Sequence, residues 1–204
     1  MFLSPKYLVK GKMEVKKQFK LFAILCMLLA ISFSVIPSSS YAAFSGLRTL
    51  GAYASVQERD SWCWAAVSQG ILRYYDKSVT QANFVRTVKG SVINEGASDQ
   101  EAKRGLSAYG LNSTLASSSI SYSSIVTQIV DYSRPIYAGW SWSNGGGHAV
   151  LIKGIQNSHL TDNVDWVFYV DPLDATTNKA SYSWVKGSNS VGHVWDGTLY
   201  NITN

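Results

Sequence analysis

The segment Gln57-Glu58-Arg59-Asp60-Ser61-Trp62-Cys63-Trp64-Ala65-Ala66 introduces a cysteine at the start of a helical pattern. Small and apolar residues recur after it at the spacing of one helix face, at Ala66, Val67, Gly70, Ile71 and Tyr74. We expect Asp60 or Ser61 to cap this helix, which puts Cys63 in or next to the first turn. A helix N-terminus and a neighbouring imidazolium both favour the thiolate form of a cysteine.

The N-terminal residues have the pattern of an export signal. Six lysines precede the apolar run from Leu21 to Ile36, and a proline and serines then lead to Ser40-Tyr41-Ala42. Small residues at such positions are what a signal peptidase reads, so we expect cleavage after Ala42, with Ala43 as the close alternative. The run of 16 residues is short for a membrane-spanning helix. We therefore expect residues 1–42 to be removed and the protein to be secreted, with no stable membrane anchor.

Removal of the signal leaves one cysteine. Cys26 lies inside the apolar run, so Cys63 is the single thiol of residues 43–204. A secreted protein with one thiol cannot form an internal disulfide, and Cys63 is therefore either buried filler or a reagent.

The charge of the chain is concentrated in the signal. Residues 1–42 hold six of the 18 basic residues and one of the 13 acidic residues, so residues 43–204 hold twelve of each and are formally neutral. A neutral domain has no net attraction for nucleic acid or anionic lipid. About 160 residues are enough for one domain with a substantial core. We expect a monomer.

Helical patterns come first along the chain and strand patterns follow. After the Cys63 helix, further helices are predicted at Thr80–Val88, Asp99–Tyr109 and Ser123–Tyr132, the second of these with a Ser98–Glu101 capping box and Gly110 as its stop. Strands are predicted at Ile136–Trp142, His148–Ile155, Trp166–Val170, Ala180–Val185 and Val194–Ile202. This order predicts an α+β fold in which an N-terminal helical half packs on an antiparallel sheet.

Three histidines are candidates to activate the thiol. His148 follows Gly145-Gly146-Gly147 at the start of an apolar strand, where glycines let a substrate backbone approach. His193 also begins a strand and is the second choice. His159 lies in a polar turn and is most simply a solvated loop residue.

Two further side chains complete a possible catalytic set. A neutral imidazole has two tautomers, and an acceptor on one nitrogen selects the productive one. Asp171 ends the strand after His148 and could serve as this acceptor, although an aspartate before a proline is also a common turn residue. Gln57 could donate to an oxyanion together with the backbone N–H of Cys63.

These residues resemble the papain-like cysteine peptidases. The likeness rests on Gln57, five intervening residues and Cys63-Trp64-Ala65, then Gly147-His148-Ala149-Val150 and Gly154-Ile155, and it spans Gln57 to Asp171. The separation of 85 residues between Cys63 and His148 is closer to compact bacterial branches. These branches include the secreted avirulence-effector peptidases of plant pathogens and the double-glycine leader peptidases.

The resemblance implies a papain-like fold and hydrolysis of a protein or peptide substrate. It implies Cys63 as nucleophile, His148 as general acid and base, Asp171 as orienter and Gln57 in the oxyanion hole. The plant enzymes differ in having an asparagine orienter and a large inhibitory prosegment, whereas about 14 residues lie between Ala42 and Gln57 here. Any latency would therefore come from export or from a separate protein inhibitor.

Other functions remain open at this stage. A transglutaminase or a cell-wall peptide amidase would use the same thiol chemistry, and a non-catalytic sugar-binding module could use the aromatic residues Tyr137, Trp140, Trp142, Trp166 and Trp184. We expect no cofactor, and no metal site because the histidines and the single thiol are not at ligand spacing.

Overall fold

The computed structural model describes residues 46–157 and 163–204. The predicted signal, with Cys26, and His159 lie outside these residues. Within the described part of the chain, no helix has the length and apolar character needed to cross a membrane.

Three helices form the N-terminal half, close to their predicted positions. They are α1 (Cys63–Tyr74), α2 (Gln81–Lys89) and α3 (Asp99–Ala108). The Thr80 side chain caps α2 by accepting from the Asn83 N–H, and Ser98 and Glu101 form the predicted capping box of α3. Gly110 follows α3 with φ of +80°, a left-handed conformation suited to glycine.

The predicted cap of α1 is wrong. The N-cap residue is Trp62, and no side chain bonds to the first turn. Neither Asp60 nor Ser61 is at the N-cap position, because a turn precedes the helix. In this turn the Trp62 N–H donates to the Arg59 carbonyl at 3.0 Å. The Ser61 N–H donates instead to Asn94 Oδ1 at 3.1 Å. The start of α1 is thus fixed by its neighbours and not by a local capping signal.

The fourth predicted helix consists of two short parts. An α-helix, α4 (Tyr122–Val126), continues as a π-helical turn over Thr127–Asp131. The Gln128 side chain in this turn donates to Asn201 Oδ1 at 2.9 Å and accepts from the Asn201 backbone N–H at 3.0 Å, and so attaches the turn to the sheet.

An antiparallel sheet forms the C-terminal half. Its strands are β1 Gly46–Thr49, β2 Asn112–Ala116, β3 Ile136–Trp142, β4 Gly147–Asn157, β5 Asp165–Asp171, β6 Thr176–Ser181, β7 Gly187–Ser188 and β8 His193–Thr203. The main strands run in the order β2-β8-β3-β4-β5-β6, while β1 pairs with the end of β4 and β7 pairs with β8. The α+β prediction is confirmed, and β8, the last strand, lies between β2 and β3.

One predicted strand is wrong, and three strands, β1, β2 and the two-residue β7, were not predicted. Residues Ala180–Val185 do not form a single strand, because β6 ends at Ser181 and a short helix, α5 (Tyr182–Lys186), follows. The Ser181 hydroxyl accepts from the Trp184 N–H and caps this helix. The unpredicted strands β1 and β2 are short, and β2 is polar, so neither has a strong alternating pattern.

The core surrounds α1 on nearly all sides. Every residue from Trp64 to Leu72 is buried, and the helix packs against β4. Gly70 lets the segment before the helix cross over it, since a Cβ at this position would collide with the Tyr53 carbonyl and lie 3.0 Å from Ala54 Cα.

Gly70→Ala should therefore lower the free energy of unfolding by about 2 kcal/mol. Overpacking against backbone, which cannot rotate away, costs about 1–3 kcal/mol and outweighs the roughly 1 kcal/mol that alanine gains over glycine in a helix. Urea denaturation would measure the change. Gly51→Ala is the control, because a Cβ there meets nothing within 4 Å. Equal stabilities of the two variants would contradict this account of the crossing.

Candidate active site

The thiol of Cys63 stands at the N-terminal end of α1, between two anchored tryptophans. The Trp62 indole N–H donates to the Ile93 carbonyl at 2.7 Å and the Trp64 indole N–H donates to the Glu95 carbonyl at 3.1 Å. Both indoles are buried, whereas Cys63 is partly exposed. The backbone around the thiol is therefore held on both sides, and the helix end directs unpaired N–H groups toward this region.

Pairing of β4 with β5 brings His148 and Asp171 together. His148 Nε2 lies 2.8 Å from Asp171 Oδ1, and His148 is buried. The same carboxylate oxygen accepts from the Leu173 N–H at 2.9 Å, which fixes its orientation. Asp171 is therefore also a turn residue, as the alternative interpretation predicted. Its side chain accepts the hydrogen bond from the Leu173 N–H within the turn while it holds His148.

The imidazole of His148 joins the aspartate to the thiol. Its Nε2 is hydrogen-bonded to Asp171, and its side chain lies close enough to the Cys63 thiol for the two groups to interact electrostatically. Because Nε2 faces Asp171, Nδ1 is the nitrogen left for the thiol. Burial alone would lower the pKa of His148, but the bonds and charges of Asp171 and Cys63 raise it from 6.5 to about 9. Burial also opposes ionisation of Asp171, yet the imidazole and the Leu173 N–H hold its pKa below the usual value. The arrangement therefore favours an imidazolium next to the thiol at neutral pH.

Trp142 covers one face of the histidine. Its ring stacks on His148 with centroids 5.8 Å apart and an interplanar angle of 20°. The Trp142 side chain is 36% exposed and lines the same cleft. It thus keeps water from one side of the His148 ring.

Gln57 lies in the cleft, but its donors are occupied. The side-chain Nε2 donates to the carbonyls of Arg59 at 3.0 Å and Asp60 at 2.8 Å, while Oε1 is buried without a partner. The Gln57 backbone N–H donates to the Pro172 carbonyl at 2.8 Å, next to Asp171.

The segment around Gln57 is fixed from a second side by Gln81. This buried side chain accepts from the Glu58 N–H at 2.9 Å and donates to the Val56 carbonyl at 2.8 Å. Helix α2 therefore positions the residues that lead to Cys63.

These groups meet at a cleft of about 720 Å³ between the helices and the sheet. Gln57, Cys63 and His148 line it, and Asp171 lies behind His148. Gly146 and Gly147 form part of the rim, where the absence of side chains leaves room for an extended backbone. Among the described residues, no group of three or more histidine, cysteine, aspartate or glutamate side chains is arranged to hold a metal ion.

His193, the second candidate base, is a core residue. It is buried, its ring stacks on Trp140 with centroids 4.3 Å apart, and its Nε2 lies 3.3 Å from the Val185 carbonyl. It does not line the cleft. Three of the five aromatic residues that could bind a sugar are covered. Tyr137 and Trp140 are buried, and the ring of Trp166 is covered by the Lys179 ammonium.

Comparison with known proteins identifies the family. A family model described as papain-like cysteine protease AvrRpt2 matches residues 45–190. The chain belongs to this protease family. No curated protein matches it.

Two solved structures are similar to this AvrRpt2-family protease. One is a double-glycine motif protease from an AMS/PCAT transporter in complex with the leader peptide, with 18% identity, a TM-score of 0.46, and coverage of 75% of this chain and 95% of that chain. The other is the peptidase domain of Streptococcus ComA, a bifunctional ABC transporter involved in quorum sensing, with 15% identity, a TM-score of 0.50, and coverage of 74% and 97%. The second likeness supports the papain-like fold. The protein is thus a cysteine peptidase, as its sequence predicted.

Two side chains of the cleft were missed as site residues from the sequence. From the sequence, Asp99 was predicted only to begin a helix, and Tyr137 was noted only as a member of an aromatic cluster. The Tyr137 hydroxyl lies next to Asp99 and near Cys63, and burial together with these two neighbours raises the pKa of Tyr137. No local signal in the sequence marks this contact, because it joins α3 to β3.

Asp171→Ala should lower the pKa of His148 in this protease. Burial, which disfavours the imidazolium, remains, while the bond to the carboxylate is lost. NMR titration of the His148 ring would measure the shift, and Asp174→Asn, which removes a nearby charge that does not bond to His148, is the control. A His148 pKa that stays near 9 in Asp171→Ala would contradict the coupling.

The pairing of His148 with Asp171 should also make the free energy of unfolding depend on pH. The pKa of His148 is raised in the folded state, so the stabilisation is complete below about pH 6.5 and is lost as the pH rises through about 9. The free energy of unfolding of the wild type should therefore approach that of Asp171→Ala across this window.

Proposed function

We propose that this protein is a secreted peptidase that hydrolyses peptide bonds through Cys63, His148 and Asp171. One observation carries the proposal: Asp171 holds the His148 imidazole by a hydrogen bond, and this imidazole adjoins the Cys63 thiol at the cleft. The thiol is the reactive group, and the imidazole is the proton carrier. The pattern of residues 1–42 supports export.

The reaction begins with attack of the Cys63 thiolate on the carbonyl carbon of the substrate. A C–S bond forms, and the carbonyl oxygen takes the negative charge of the tetrahedral intermediate. The imidazolium of His148 gives its proton to the leaving amine as the C–N bond breaks, which leaves a thioester. The neutral imidazole then takes a proton from water, the resulting hydroxide attacks the thioester, and the thiolate leaves as the carboxylic acid is released.

Asp171 is proposed to orient this proton carrier. With Nε2–H donating to the carboxylate, the neutral imidazole has Nδ1 as its basic nitrogen, which faces the thiol and the scissile bond. The negative charge also stabilises the imidazolium of the resting enzyme.

The oxyanion is proposed to be held by the Cys63 N–H and by Gln57. As the first residue of α1, Cys63 has a backbone N–H with no acceptor within its own helix. Gln57 must exchange one of its two carbonyl acceptors for the oxyanion, a rearrangement that accompanies the reaction since catalytic hydrogen bonds often tighten only with substrate bound.

Cys63→Ala should abolish peptide cleavage while leaving the unfolding midpoint nearly unchanged. His148→Ala should lower kcat/KM by at least about 10³-fold, since both halves of the reaction lose their proton carrier. Cleavage of a denatured protein substrate, followed by mass spectrometry, would measure both effects.

The matched control is His193→Gln, which alters a histidine that does not line the cleft itself, although its ring packs on Trp140, which does. Its activity should stay within a few-fold of the wild type. If His193→Gln were inactive but folded while His148→Ala cleaved normally, the base would have been assigned to the wrong histidine.

Gln57→Ala separates oxyanion binding from thiol reactivity. Loss of an oxyanion donor lowers kcat by about 10²-fold or more, whereas iodoacetamide alkylation of Cys63 passes through no oxyanion and should keep its rate. Measuring both on the same preparation tests the role. Equal losses in both reactions would mean that Gln57 only shapes the loop before Cys63.

A further inference from the structure

The cleft beside Cys63 contains carboxylates that the proposed hydrolysis does not use. Asp99 begins α3 and Asp196 lies in β8, and both line the cleft. Asp60, in the turn before Cys63, adds a third. Among the described residues that line the cleft, every charged side chain other than His148 is acidic. This is a local feature, because residues 43–204 are formally neutral.

Asp99 is held in place by the sheet. Its carboxylate lies directly on the backbone of two adjacent strands, at Gly139 of β3 and Gly197 of β8. A Cβ at Gly139 would lie 2.6 Å from Asp99 Oδ1, and one at Gly197 would overlap the carboxylate. The Tyr137 side chain lies next to the same group. The two glycines thus make a depression in which the carboxylate is fixed.

Among the described residues, no cation pairs with Asp99 or Asp196. Within residues 46–157 and 163–204, neither Asp99 nor Asp196 forms an ion pair, and Asp196 accepts from Ser141 Oγ at 2.5 Å. Burial and the charge of Asp196 raise the pKa of Asp99. Ionisation of both carboxylates is therefore unfavourable, and a bound cation would relieve it.

The same wall contains a buried donor without an acceptor among the described residues. Trp140 lines the cleft between Gly139 and Ser141 and is 4% exposed, yet its indole N–H has no acceptor in the described chain. Buried donors are nearly always paired, so this N–H is an exception in the wall of the cleft.

We propose that Asp99 and Asp196 make this cleft select peptides with a lysine or arginine side chain close to the scissile bond. This inference rests on the proposed function, since it names the substrate class of the same cleft. The cationic side chain lies against the two carboxylates while the substrate backbone follows the glycine-lined strands. Acidic substrates are repelled by the same charges.

The competing explanation is that Asp99 only attaches α3 to the sheet. A structural role of this kind would change stability and the rates of all substrates equally. Selection by charge changes the ratio between lysine and its uncharged analogue norleucine, so the ratio is the quantity to measure.

The test uses peptidyl acyloxymethyl ketones that alkylate Cys63. Sets of three probes carry lysine, norleucine or glutamate at one of the three positions before the ketone, and mass spectrometry gives the second-order rate constants. The wild type should prefer lysine to norleucine by at least about tenfold at one position, with glutamate slowest. Asp99→Asn and Asp196→Asn should each reduce the preference several-fold, and added salt should weaken it.

Asp76→Asn is the matched control. It removes one exposed carboxylate in the turn after α1, where the φ of +58° suits asparagine, and it should keep the full preference. Should Asp99→Asn fail to fold, the exposed Asp196→Asn variant still decides the matter.

The outcomes separate this inference from the proposed function. Equal rates for lysine and norleucine in the wild type, or a ratio unchanged in both cleft variants, would overturn the inference even if peptides are hydrolysed. Alkylation does not need turnover, so a lysine preference that disappears in the variants would support the acidic subsite even if no peptide were hydrolysed, and only the proposed hydrolysis would then fail.

Discussion

The burial of α1 is the constraint on which the rest of the structure depends. A helix that is enclosed from Trp64 to Leu72 can have only one position relative to β4. Its first residue, Cys63, carries the thiol. Close packing makes this placement rigid, because a core element cannot shift without opening voids or forcing overlaps. The approach of Cys63 to His148 is therefore a product of the whole core and not of a local loop.

Charge in the cleft is divided between two environments. On the side of β5, Asp171 is paired with His148 and receives a backbone N–H, so its negative charge is stabilised. On the side of β8, Asp99 is half-buried with no ion pair among the described residues, and its charge is destabilised. Two carboxylates of the same type thus differ because one lies against an imidazolium and the other has no such cation within the described part of the chain. The first stabilises the resting imidazolium, and the second leaves binding energy available to a ligand.

The sequence predicted the elements that have strong periodic or capping signals. The helices near Cys63, Thr80 and Ser98 and the strands around His148 and Trp166 follow from apolar spacing and turn residues, and the order of Gln57, Cys63, His148 and Asp171 identified the family. The cap of α1 was mispredicted because Asn94, distant in sequence, holds its entry. Residues 180–185 were mispredicted because the Ser181 cap was overlooked among aromatic residues typical of strands. The docking of Asp99 on Gly139 and Gly197 joins three segments, and no single-sequence pattern records such a contact.

The position of β8 makes the assembly of the cleft depend on a strand that follows Gln57, Cys63, His148 and Asp171 in the sequence. Strand β8 lies between β2 and β3, contributes Asp196 to the cleft, and supplies the His193 ring on which Trp140 stacks. A polypeptide synthesised only as far as β7 already contains these four residues, yet β3 has no neighbour on one side and β2 is unattached. Non-local pairing of this kind forms late, because the long intervening loop must first be closed. During synthesis, therefore, the Cys63 thiol is made well before the sheet of the cleft is complete.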